Sequence, residues 1–484
     1  MKPRVTKTTL LAAVALLVPL AFAPLLQPAD ERVEDAKADL IHEMLDAQKA
    51  ERLAGATPAT PVEVPAPAAC TSGFAGPYPC ENVDLAAVVP LAELGGVAGN
   101  DSWGWTDPVD GNEIAIVGTG TGVAFVDVTV PDRPVVLGRV NSVGGTRGTG
   151  VSFGSVWRDV KVDDDHAYIV SEVAGHGMQV FDLTQLREHY GSVPNPTRAF
   201  ETVGHNTAFG SAHNIAINED TDTAYVVGAD VCGGGLFMVD ISDPTNPVAH
   251  QGEDGMGCFA SDGYTHDAQC VVYEGPDPDY NGANGYQAEI CFNYNEDTVT
   301  IVDVTDKAAP AMLTRIGYDT AAYTHQGWLT PDQSWVIFND EVDEQAGTVS
   351  NTTTYMVDVT DLDLGFSDAD RGAVVTDAAG APLVKSYTHE SVSTDHNLYI
   401  TDDGLIWQAN YNRGLRILRE GPDGFENGDL DEIGYFEVDS LADAPHYGDS
   451  WNVYPYFGSG TVIVSNIGQG LVVLRPDYEA LRAG

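Results

Sequence analysis

Four histidines recur at comparable places in an internally repeated sequence. They are His213, His266, His325 and His396, and each is followed by Asn, Asp or Gln. Imidazole is the commonest metal ligand among protein side chains and the natural base near neutral pH. If one position of the repeat carries all four, the rings converge, and the sequence then predicts a site for a divalent metal ion.

The same repeat position carries other pairs in the remaining copies. In chain order, the series is Trp103-Gly104, Arg158-Asp159, His213-Asn214, His266-Asp267, His325-Gln326, His396-Asn397 and Trp451-Asn452. From it we predict a ligand-binding site at the mouth of a channel, with the four histidines as metal ligands. Its residues are Arg158, Asp159, His213, His266, Asp267, His325, His396 and Trp451. Further candidate ligands come from nearby turns, namely Glu172, Asp340 and Glu341.

The four histidines could instead have a purely structural role, and this is the alternative to a metal site. Repeat proteins can reuse one polar residue per copy to hydrogen-bond strand backbone, and a His followed by Asp, Asn or Gln suits that role. Five basic groups around one channel would nevertheless be a costly way to satisfy amides without an anion or a metal. Bonds from the imidazoles to neighbouring backbone would favour the structural role.

The repeat itself is marked by a short apolar strand. A representative copy is Gly235–Asp240, Gly-Leu-Phe-Met-Val-Asp, and a Ser-Asp-Pro turn follows it. Copies follow one another at intervals of about 55 to 63 residues, which is typical of arrays of one supersecondary unit. The seven marker strands end at Asp127, Asp182, Asp240, Asp303, Asp358, Arg419 and Arg475.

Each copy is interpreted as an inner strand, a second strand, the marker strand and an outer strand. Such units are typical of β-propeller blades, which remove exposed edges by closing into a ring. The sequence therefore predicts an all-β, seven-bladed β-propeller of four-stranded antiparallel blades over residues 70–476. Leu85–Leu94 is expected to supply the outer strand of the last blade. Inner strands surround the channel, which places the histidines around one of its mouths.

The N-terminal segment has the features of an export signal. Basic residues within Met1–Lys7 precede an apolar stretch from Thr9 to Phe22, and Ala-Phe-Ala at 21–23 suits cleavage. We predict a signal peptide over 1–23, an amphipathic helical segment over 24–56 and a Pro/Ala-rich linker over 57–69. An uncleaved anchor helix is the alternative, although the stretch is short and contains Pro19.

The remainder of the chain is expected to contain no transmembrane span once the signal is removed. Residues 477–484 are expected to form a C-terminal tail without a helix. Secretion or display on the cell surface is therefore the predicted location. The helical segment would dock on the propeller, mediate association or act as a spacer from the surface.

Six cysteines in an exported chain indicate disulfides. Cys70 and Cys80 bracket a short Gly/Pro loop, and Cys270 and Cys291 lie on two apolar segments expected to be neighbouring strands. The remaining pair is Cys232 with Cys258. The absence of a CxxC motif argues against a zinc or redox site built on cysteine.

The charge balance excludes one class of partner. The chain has 72 acidic and 23 basic residues, a formal net charge of −49. Such a surface repels phosphate backbones, so nucleic acid is not expected as a partner. It is compatible with binding a cation, and an extracellular protein, peptide or glycan is the expected kind of ligand.

Several motifs resemble a known family of surface proteins. Phe125–Thr129, Met238–Ser242 and Ile301–Asp306 resemble the LVIVD repeat of bacterial surface propellers. Longer stretches resemble the choice-of-anchor B family, and they are Ser155–Lys161, Gly175–Leu183, Asp262–Cys270 and Tyr323–Trp328. The resemblance runs from about Cys70 to Pro476 and implies a secreted or surface-held propeller. It implies no particular activity, and this chain departs from the family in showing no recognisable C-terminal anchor.

Two functions are therefore carried forward from the sequence. The first is an exported or cell-surface propeller that acts as a binding or scaffold module. The alternative is a metal-dependent enzyme, a hydrolase or oxidoreductase, with the four histidines at the mouth of the central channel and a divalent metal ion as its cofactor.

Overall fold

The computed structural model describes most of the chain after residue 64. The described ranges are 65–96, 98–144, 157–252, 255–364, 383–438, 443–445, 447–448 and 450–483. All described residues belong to one compact unit. The predicted signal peptide, the helical segment 24–56 and residues 57–64 of the predicted linker lie outside the described residues. None of the helices in the described ranges is long and apolar enough to cross a membrane.

The described residues form seven antiparallel sheets, each with four principal strands. From the innermost strand outwards, blade one consists of β4 (Gly99–Thr106), β5 (Glu113–Thr119), β6 (Gly122–Asp127) and β7 (Val135–Asn141). Blade two consists of β8 (Arg158–Asp163), β9 (His166–Ser171), β10 (Met178–Asp182) and β12 (Gly204–Asn206). Blade three consists of β13 (Asn214–Asn218), β14 (Thr223–Val227), β15 (Leu236–Asp240) and β16 (Val248–Ala249). Blade four consists of β18 (Asp267–Val272), β19 (Glu289–Tyr294), β20 (Thr298–Asp303) and β21 (Ala311–Gly317). Blade five consists of β22 (Thr324–Leu329), β23 (Trp335–Asp340), β24 (Thr353–Asp358) and β25 (Val384–Thr388). Blade six consists of β26 (Leu398–Ile400), β27 (Ile406–Ala409), β28 (Leu415–Glu420) and β29 (Leu430–Phe436). Blade seven consists of β30 (Ser450–Tyr454), β31 (Val462–Asn466), β32 (Gly470–Pro476) and β3 (Val83–Pro90).

The sheets close into a ring, as the repeat predicts. Each inner strand contacts the inner strands of the two adjacent blades, and β30 of the last blade contacts β4 of the first. Strand β3, from the start of the described chain, pairs antiparallel with the final strand β32. The predicted closure of the ring by the Leu85 segment is therefore present, and the fold is an all-β, seven-bladed β-propeller.

Blade strands are apolar on both faces because both faces pack against neighbouring blades. In β23, Val336 and Phe338 pack with Ile290 of blade four. Ile337, which lies between them in sequence, packs with Ile406 of blade six. Successive strand residues point to opposite faces, so one strand contributes to two cores. A hydrophobic cluster of this kind lies between each pair of adjacent blades.

Several elements add to the blade pattern. The hairpin β1 (Phe74–Ala75) and β2 (Tyr78–Glu81) extends blade six through pairing of β2 with β29. In blade one, β11 (Ala199–Phe200) pairs parallel with β7, and in blade three β17 (Cys258–Phe259) pairs with β15. The short helices are Leu91–Leu94, Asp343–Ala346 and Tyr478–Ala483, with 3₁₀ turns at Leu183–His189, Glu219–Thr221, Cys232–Gly234 and Phe425–Asn427.

Two boundaries differ from the expectation. The C-terminal tail was expected to lack a helix, whereas Tyr478–Ala483 is helical because Leu481 is fully buried in the core between blades six and seven. Ala68 was expected in the linker, yet its backbone exchanges two hydrogen bonds with Leu85 of β3. The ordered body therefore begins before Cys70.

The structure contains the three expected disulfides, Cys70–Cys80, Cys232–Cys258 and Cys270–Cys291. Cys270 and Cys291 are direct partners in the pairing of β18 with β19. Among the described residues no cysteine is free. Disulfides are typical of proteins that fold in oxidising compartments.

Candidate functional site

The four predicted histidines lie in one row of stacked rings at the channel mouth. Ring centroids are 4.3 Å apart between His213 and His266, 4.1 Å between His266 and His325, and 4.4 Å between His325 and His396. Trp451 continues the row 4.4 Å from His396. We call these five side chains the histidine ladder. Blades three to seven contribute one ring each, as the aligned repeat predicts.

Trp157 of blade two extends the ladder by one more ring. Its indole stacks on Trp451 with centroids 4.7 Å apart and ring planes only 6° from parallel. Blade two therefore reaches the ladder through the residue before Arg158. The Arg158 side chain instead passes Gly118 of blade one, where burial and the nearby Arg139 lower its pKa.

β-Bulges occur at two of the ladder residues. The pairing of β22 with β23 skips from Thr324 to Gln326, which leaves His325 as the extra residue. The pairing of β30 with β31 skips from Ser450 to Asn452 and does the same for Trp451. A bulge inserts one residue without a partner and re-aims its side chain, and bulges are frequent next to functional sites.

In blade one the corresponding irregularity lies between Gly99 and Ser102. The alignment with Trp103 and Gly104 is therefore displaced. Asn100 and Asp101 occupy the ladder position of blade one, whereas Trp103 pairs with Ile116 farther along β4. The cause is the longer inner strand of this blade, which begins several residues before the aligned Trp-Gly pair.

Two ladder histidines share one buried carboxylate, Glu341. The Nε2 atom of His396 lies 3.6 Å from Glu341 Oε1, and that of His325 lies 3.9 Å from Oε2. Ligand atoms of all three residues lie within 4.8 Å of one another, and no other group of three or more His, Cys, Asp or Glu in the described ranges is so arranged. These side chains are at most 2% exposed. We call them the His-Glu-His triad.

The spacing within the triad suits a shared ion better than a hydrogen bond. Donor to acceptor distances of 3.6 and 3.9 Å exceed those of good hydrogen bonds. With metal–ligand bonds of about 2.0–2.2 Å, two ligands of one ion stand roughly 3–4 Å apart. His396 Nδ1 lies 2.5 Å from the carbonyl oxygen of Trp451. A neutral imidazole that donates through Nδ1 presents its Nε2 lone pair to Glu341 and to any ion beside it.

Glu341 is held by its neighbours on both sides. The preceding Asp340 accepts hydrogen bonds from the backbone N–H groups of Ala322, Tyr323, Val342 and Asp343 and from the Tyr318 hydroxyl. The candidate ligand Asp340 is therefore occupied in fixing the loop that carries Glu341.

Tyr411 supports the same carboxylate from blade six. Its hydroxyl donates to Glu341 Oε1 at 2.5 Å, and its ring lies 4.7 Å from that of His396. The Tyr411 backbone has φ 28°, in the left-handed region that non-glycine residues rarely occupy. Such strain is found at binding and catalytic sites, where the surrounding structure maintains it.

The other two histidines have different partners. His213 Nδ1 lies 2.6 Å from Glu172 Oε1, and His266 Nδ1 lies 3.0 Å from the carbonyl oxygen of His325. Neither belongs to the triad. Of the four predicted histidine ligands, only His325 and His396 remain candidates, and Glu341 joins them as a third candidate ligand.

The residues that follow the ladder positions join adjacent blades. Asp159 accepts from the backbone N–H of Ile215, Gln326 accepts from that of Leu398, and Asn214 donates to the carbonyl of His266. This is the backbone satisfaction expected from the structural interpretation. Two of the histidines share this role, because His266 and His396 each contact a backbone carbonyl oxygen of the adjacent blade through Nδ1.

Buried carboxylates surround the triad on one side. Within the described part of the chain, neither oxygen of Asp395 nor of Glu344 has a hydrogen-bond partner. Burial first, and then nearby carboxylates including Asp343, raises the pKa of Asp395. Burial and Asp395 likewise raise that of Glu344. A cation bound nearby would favour the ionised forms of these carboxyl groups and so lower their pKa values.

A cavity lies deeper in the channel, below the ladder. It encloses about 420 Å³ of space, counting the part open to solvent, and Asp267 and Gln326 line it. Lys161 also lines it and bonds Asp159 at 2.6 Å and Asp101 at 3.3 Å. Burial raises the pKa of Asp267 to about 7, while Lys161 opposes the shift and Asp159 adds to it. Asp267 therefore lines the cavity below the channel mouth, and Asp159 binds the Lys161 ammonium group there.

Sequence reasoning missed Tyr411 and Lys161. Tyr411 comes shortly after the second strand of blade six, the place that Glu172 and Glu341 occupy in blades two and five. Extending that comparison to every blade would have found it. Lys161 had no such signal, because no other blade has a basic residue at that point of its inner strand.

Comparisons with known proteins found one repeat model and several similar solved structures. No curated protein matches the chain. Similar solved structures include a protein from Lactobacillus plantarum (12% identity, 76% of this chain and 88% of that chain, TM-score 0.40) and the Cps50 (Swd1) β-propeller domain of Myceliophteria thermophila (9%, 75% and 93%, 0.43). Kuenenia stuttgartiensis hydrazine synthase is another (14%, 77% and 94%, 0.44). The LVIVD repeat model matches residues 209–251, which contain most of blade three. The chain, a seven-bladed β-propeller by its strand topology, carries an LVIVD repeat at residues 209–251.

Proposed function

We propose that this propeller is an extracytoplasmic binding module that holds one divalent transition-metal ion in the His-Glu-His triad. The observation that carries the proposal is the approach of two imidazole Nε2 atoms to opposite oxygens of the buried Glu341. Two nitrogen ligands and one carboxylate suit Zn²⁺, Fe²⁺ and similar ions, whereas Ca²⁺ and Mg²⁺ prefer oxygen alone.

The surroundings support a cation at this place. The Tyr411 hydroxyl and the Trp451 carbonyl orient Glu341 and His396, as outer partners commonly do for metal ligands. Burial raises the pKa values of Asp343, Glu344 and Asp395 beside the triad, and a bound cation would let these carboxyl groups ionise. Burying these acidic groups in the ionised form is costly unless positive charge accompanies them.

Export of the protein is part of the proposal. The three disulfides and the predicted N-terminal signal peptide support it. The resemblance to choice-of-anchor B proteins supports display at the cell surface. An extracellular protein, peptide or glycan would be the ligand of the module.

A metal-dependent enzyme is the second candidate. Three protein ligands leave coordination positions for water or a substrate, as in catalytic zinc and non-haem iron sites. A hydrolase would use the metal to activate water, and an oxidoreductase would use a redox-active ion. The candidate residues that would hold the ion are the same triad.

Metal analysis of the full chain tests the site. The protein is stripped with a chelator and titrated with Zn²⁺, Co²⁺, Mn²⁺ and anaerobic Fe²⁺, and bound metal is measured after desalting. One equivalent of at least one ion is expected in the wild type. Glu341→Gln and His396→Gln should each weaken binding at least tenfold, with thermal unfolding used to confirm that both variants fold.

His213→Gln is the matched control, because it belongs to the ladder but not to the triad and should retain the ion. Failure of the wild type to bind any of the four ions in stoichiometric amount would overturn the proposal. Equal loss of metal in His213→Gln and His396→Gln would also contradict it, since that result would assign the ion to the ladder as a whole.

A further inference from the structure

The channel cavity below the ladder is lined by polar side chains that do not belong to the His-Glu-His triad. Asp267 is at least nine-tenths buried and accepts a bond from Ala268 through Oδ1. Gln326 accepts from Leu398 through Oε1. Among the described residues, Asp267 Oδ2 and Gln326 Nε2 make no hydrogen bond, and both residues line the cavity. One unsatisfied acceptor and one unsatisfied donor therefore face the same space.

Tyr399 and Lys161 contribute two more polar groups to the same cavity. Tyr399 is 2% exposed and lines the cavity, and its hydroxyl makes no hydrogen bond to the described residues. Lys161 uses its ammonium group for Asp159 and Asp101, which leaves one of its three N–H groups for the cavity. Buried polar groups are normally satisfied, so such a set points to a ligand or to water.

The wall of the cavity is aromatic. Tyr399 lies edge-on between two indoles, with its ring 5.6 Å from Trp103 and 5.0 Å from Trp328. Both indoles are partly exposed, and both line the cavity. Edge-to-face contacts fix the orientation of the three rings. The result is a rigid apolar surface beside a cluster of mixed donors and acceptors.

This combination discriminates between kinds of ligand. A purely cationic ligand would use Asp267 but would face the Lys161 ammonium, and the nearest indole face already has that ammonium 4.8 Å from its centre. An anion would use Lys161 but would meet Asp267, Asp159 and Asp101, which act on the same ammonium. An uncharged ligand that both donates and accepts, and that has an apolar face, satisfies every group.

We propose that the channel cavity binds one sugar ring of a carbohydrate, with its C–H face against Trp328 and its hydroxyls bonded to Asp267, Gln326, Tyr399 and Lys161. The cavity is partly open, so the rest of a glycan chain extends into the channel. This site is independent of the triad and does not rest on the metal.

Tryptophan fluorescence of the full chain tests the proposal. The probes are D-glucose, D-galactose, D-mannose, N-acetylglucosamine and their β-linked disaccharides, each titrated to high millimolar concentration. At least one sugar should give a saturable change. Tyr399→Phe removes only a hydroxyl that bonds nothing in the described protein, so it should weaken binding roughly tenfold without lowering the unfolding temperature. Asp267→Asn, which keeps Oδ1, should weaken binding by a similar factor.

Tyr435→Phe, which removes a hydroxyl from the outer strand β29, is the matched control and should bind as the wild type does. The absence of saturable binding to every sugar would overturn the proposal. Saturation by tetramethylammonium with no response to sugars would assign the cavity to organic cations instead. Unchanged affinity in both Tyr399→Phe and Asp267→Asn would place any sugar site elsewhere. None of these results depends on the metal content of the triad.

Discussion

At the scale of single residues, the structural and metal-binding interpretations of the histidines are compatible. His396 contacts the Trp451 carbonyl through Nδ1 and faces Glu341 through Nε2. An imidazole has two ring nitrogens, so a backbone bond at one of them fixes the direction of the other. The same reasoning separates His213, which contacts the carboxylate of Glu172 through Nδ1 and lies outside the triad.

Asp163 provides a prediction about pH at this scale. It ends β8 and is 7% exposed, and its pKa is raised to about 7 by burial first and then by Asp222, Asp164 and Glu219. Because this value is above the unfolded pKa of about 3.9, the folded state holds the proton more tightly. The favourable contribution is complete below about pH 4 and is lost as the pH rises through about 7.

Asp163→Asn should therefore stabilise the protein at pH 8 and leave it unchanged at pH 4. We expect a gain of roughly 1–2 kcal/mol, less than the full shift because neighbouring carboxylates are partly solvated. Urea unfolding at the two pH values measures it. A gain of the same size at both would mean that charge at Asp163 is not the cause.

At the scale of elements, the marker strands explain why glycine recurs at their start. A Cβ at these glycines would collide with a backbone carbonyl oxygen of the outer part of the same blade. The positions are Gly122, Gly177, Gly235, Gly414 and Gly470, facing Val140, Asn206, Phe259, Phe436 and Val89. The repeat thus requires glycine for a close approach between strands. At Gly235 the backbone is extended, so steric contact alone is involved.

Gly235→Ala should destabilise the protein by about 1–3 kcal/mol, because the added methyl group forces β15 and β17 apart. Gly458→Ala is the control, since a Cβ there meets nothing within 4 Å and the backbone is not left-handed. Chemical denaturation of both variants measures the difference. Equal effects would show that close packing at the marker strand is not the reason for the glycine.

At the scale of the whole molecule, the ring is closed by β3. Leu85 and Val88 of this strand are buried in the core between blades six and seven, and β3 pairs along its length with β32. The strand therefore joins the start of the described chain to its last blade. Closure of this kind couples all blades into one cooperative body.

Leu85→Ala should lower the stability of the whole propeller by about 2–5 kcal/mol through the cavity that it creates. Calorimetry should show one transition at a lower temperature. Val130→Ala, at a position that is 44% exposed, should leave the transition in place. A separate early transition, with the main one unmoved, would indicate that β3 opens without affecting the ring.

Most of the architecture could be predicted from local patterns. Strand periodicity, the turn residues after each marker and the near-constant repeat length are properties of neighbouring residues, so the number of blades follows from them. The disulfide between Cys270 and Cys291 could also be predicted locally, because the two cysteines lie on strands that are neighbours in the same blade. The displaced alignment of Trp103 shows the limit, because strand length and bulges depend on pairing with a partner strand.

The sequence by itself determined the blades, their order and the presence of four histidines on inner strands. Only the tertiary structure decided which of them share Glu341, because that depends on bulges, on Tyr411 from another blade and on closure of the ring. It also decided that Asp267, Gln326 and Tyr399 from three blades meet in one cavity. The physical reason is that a repeat specifies each blade locally, whereas a site on the channel axis is assembled from side chains that are distant in sequence.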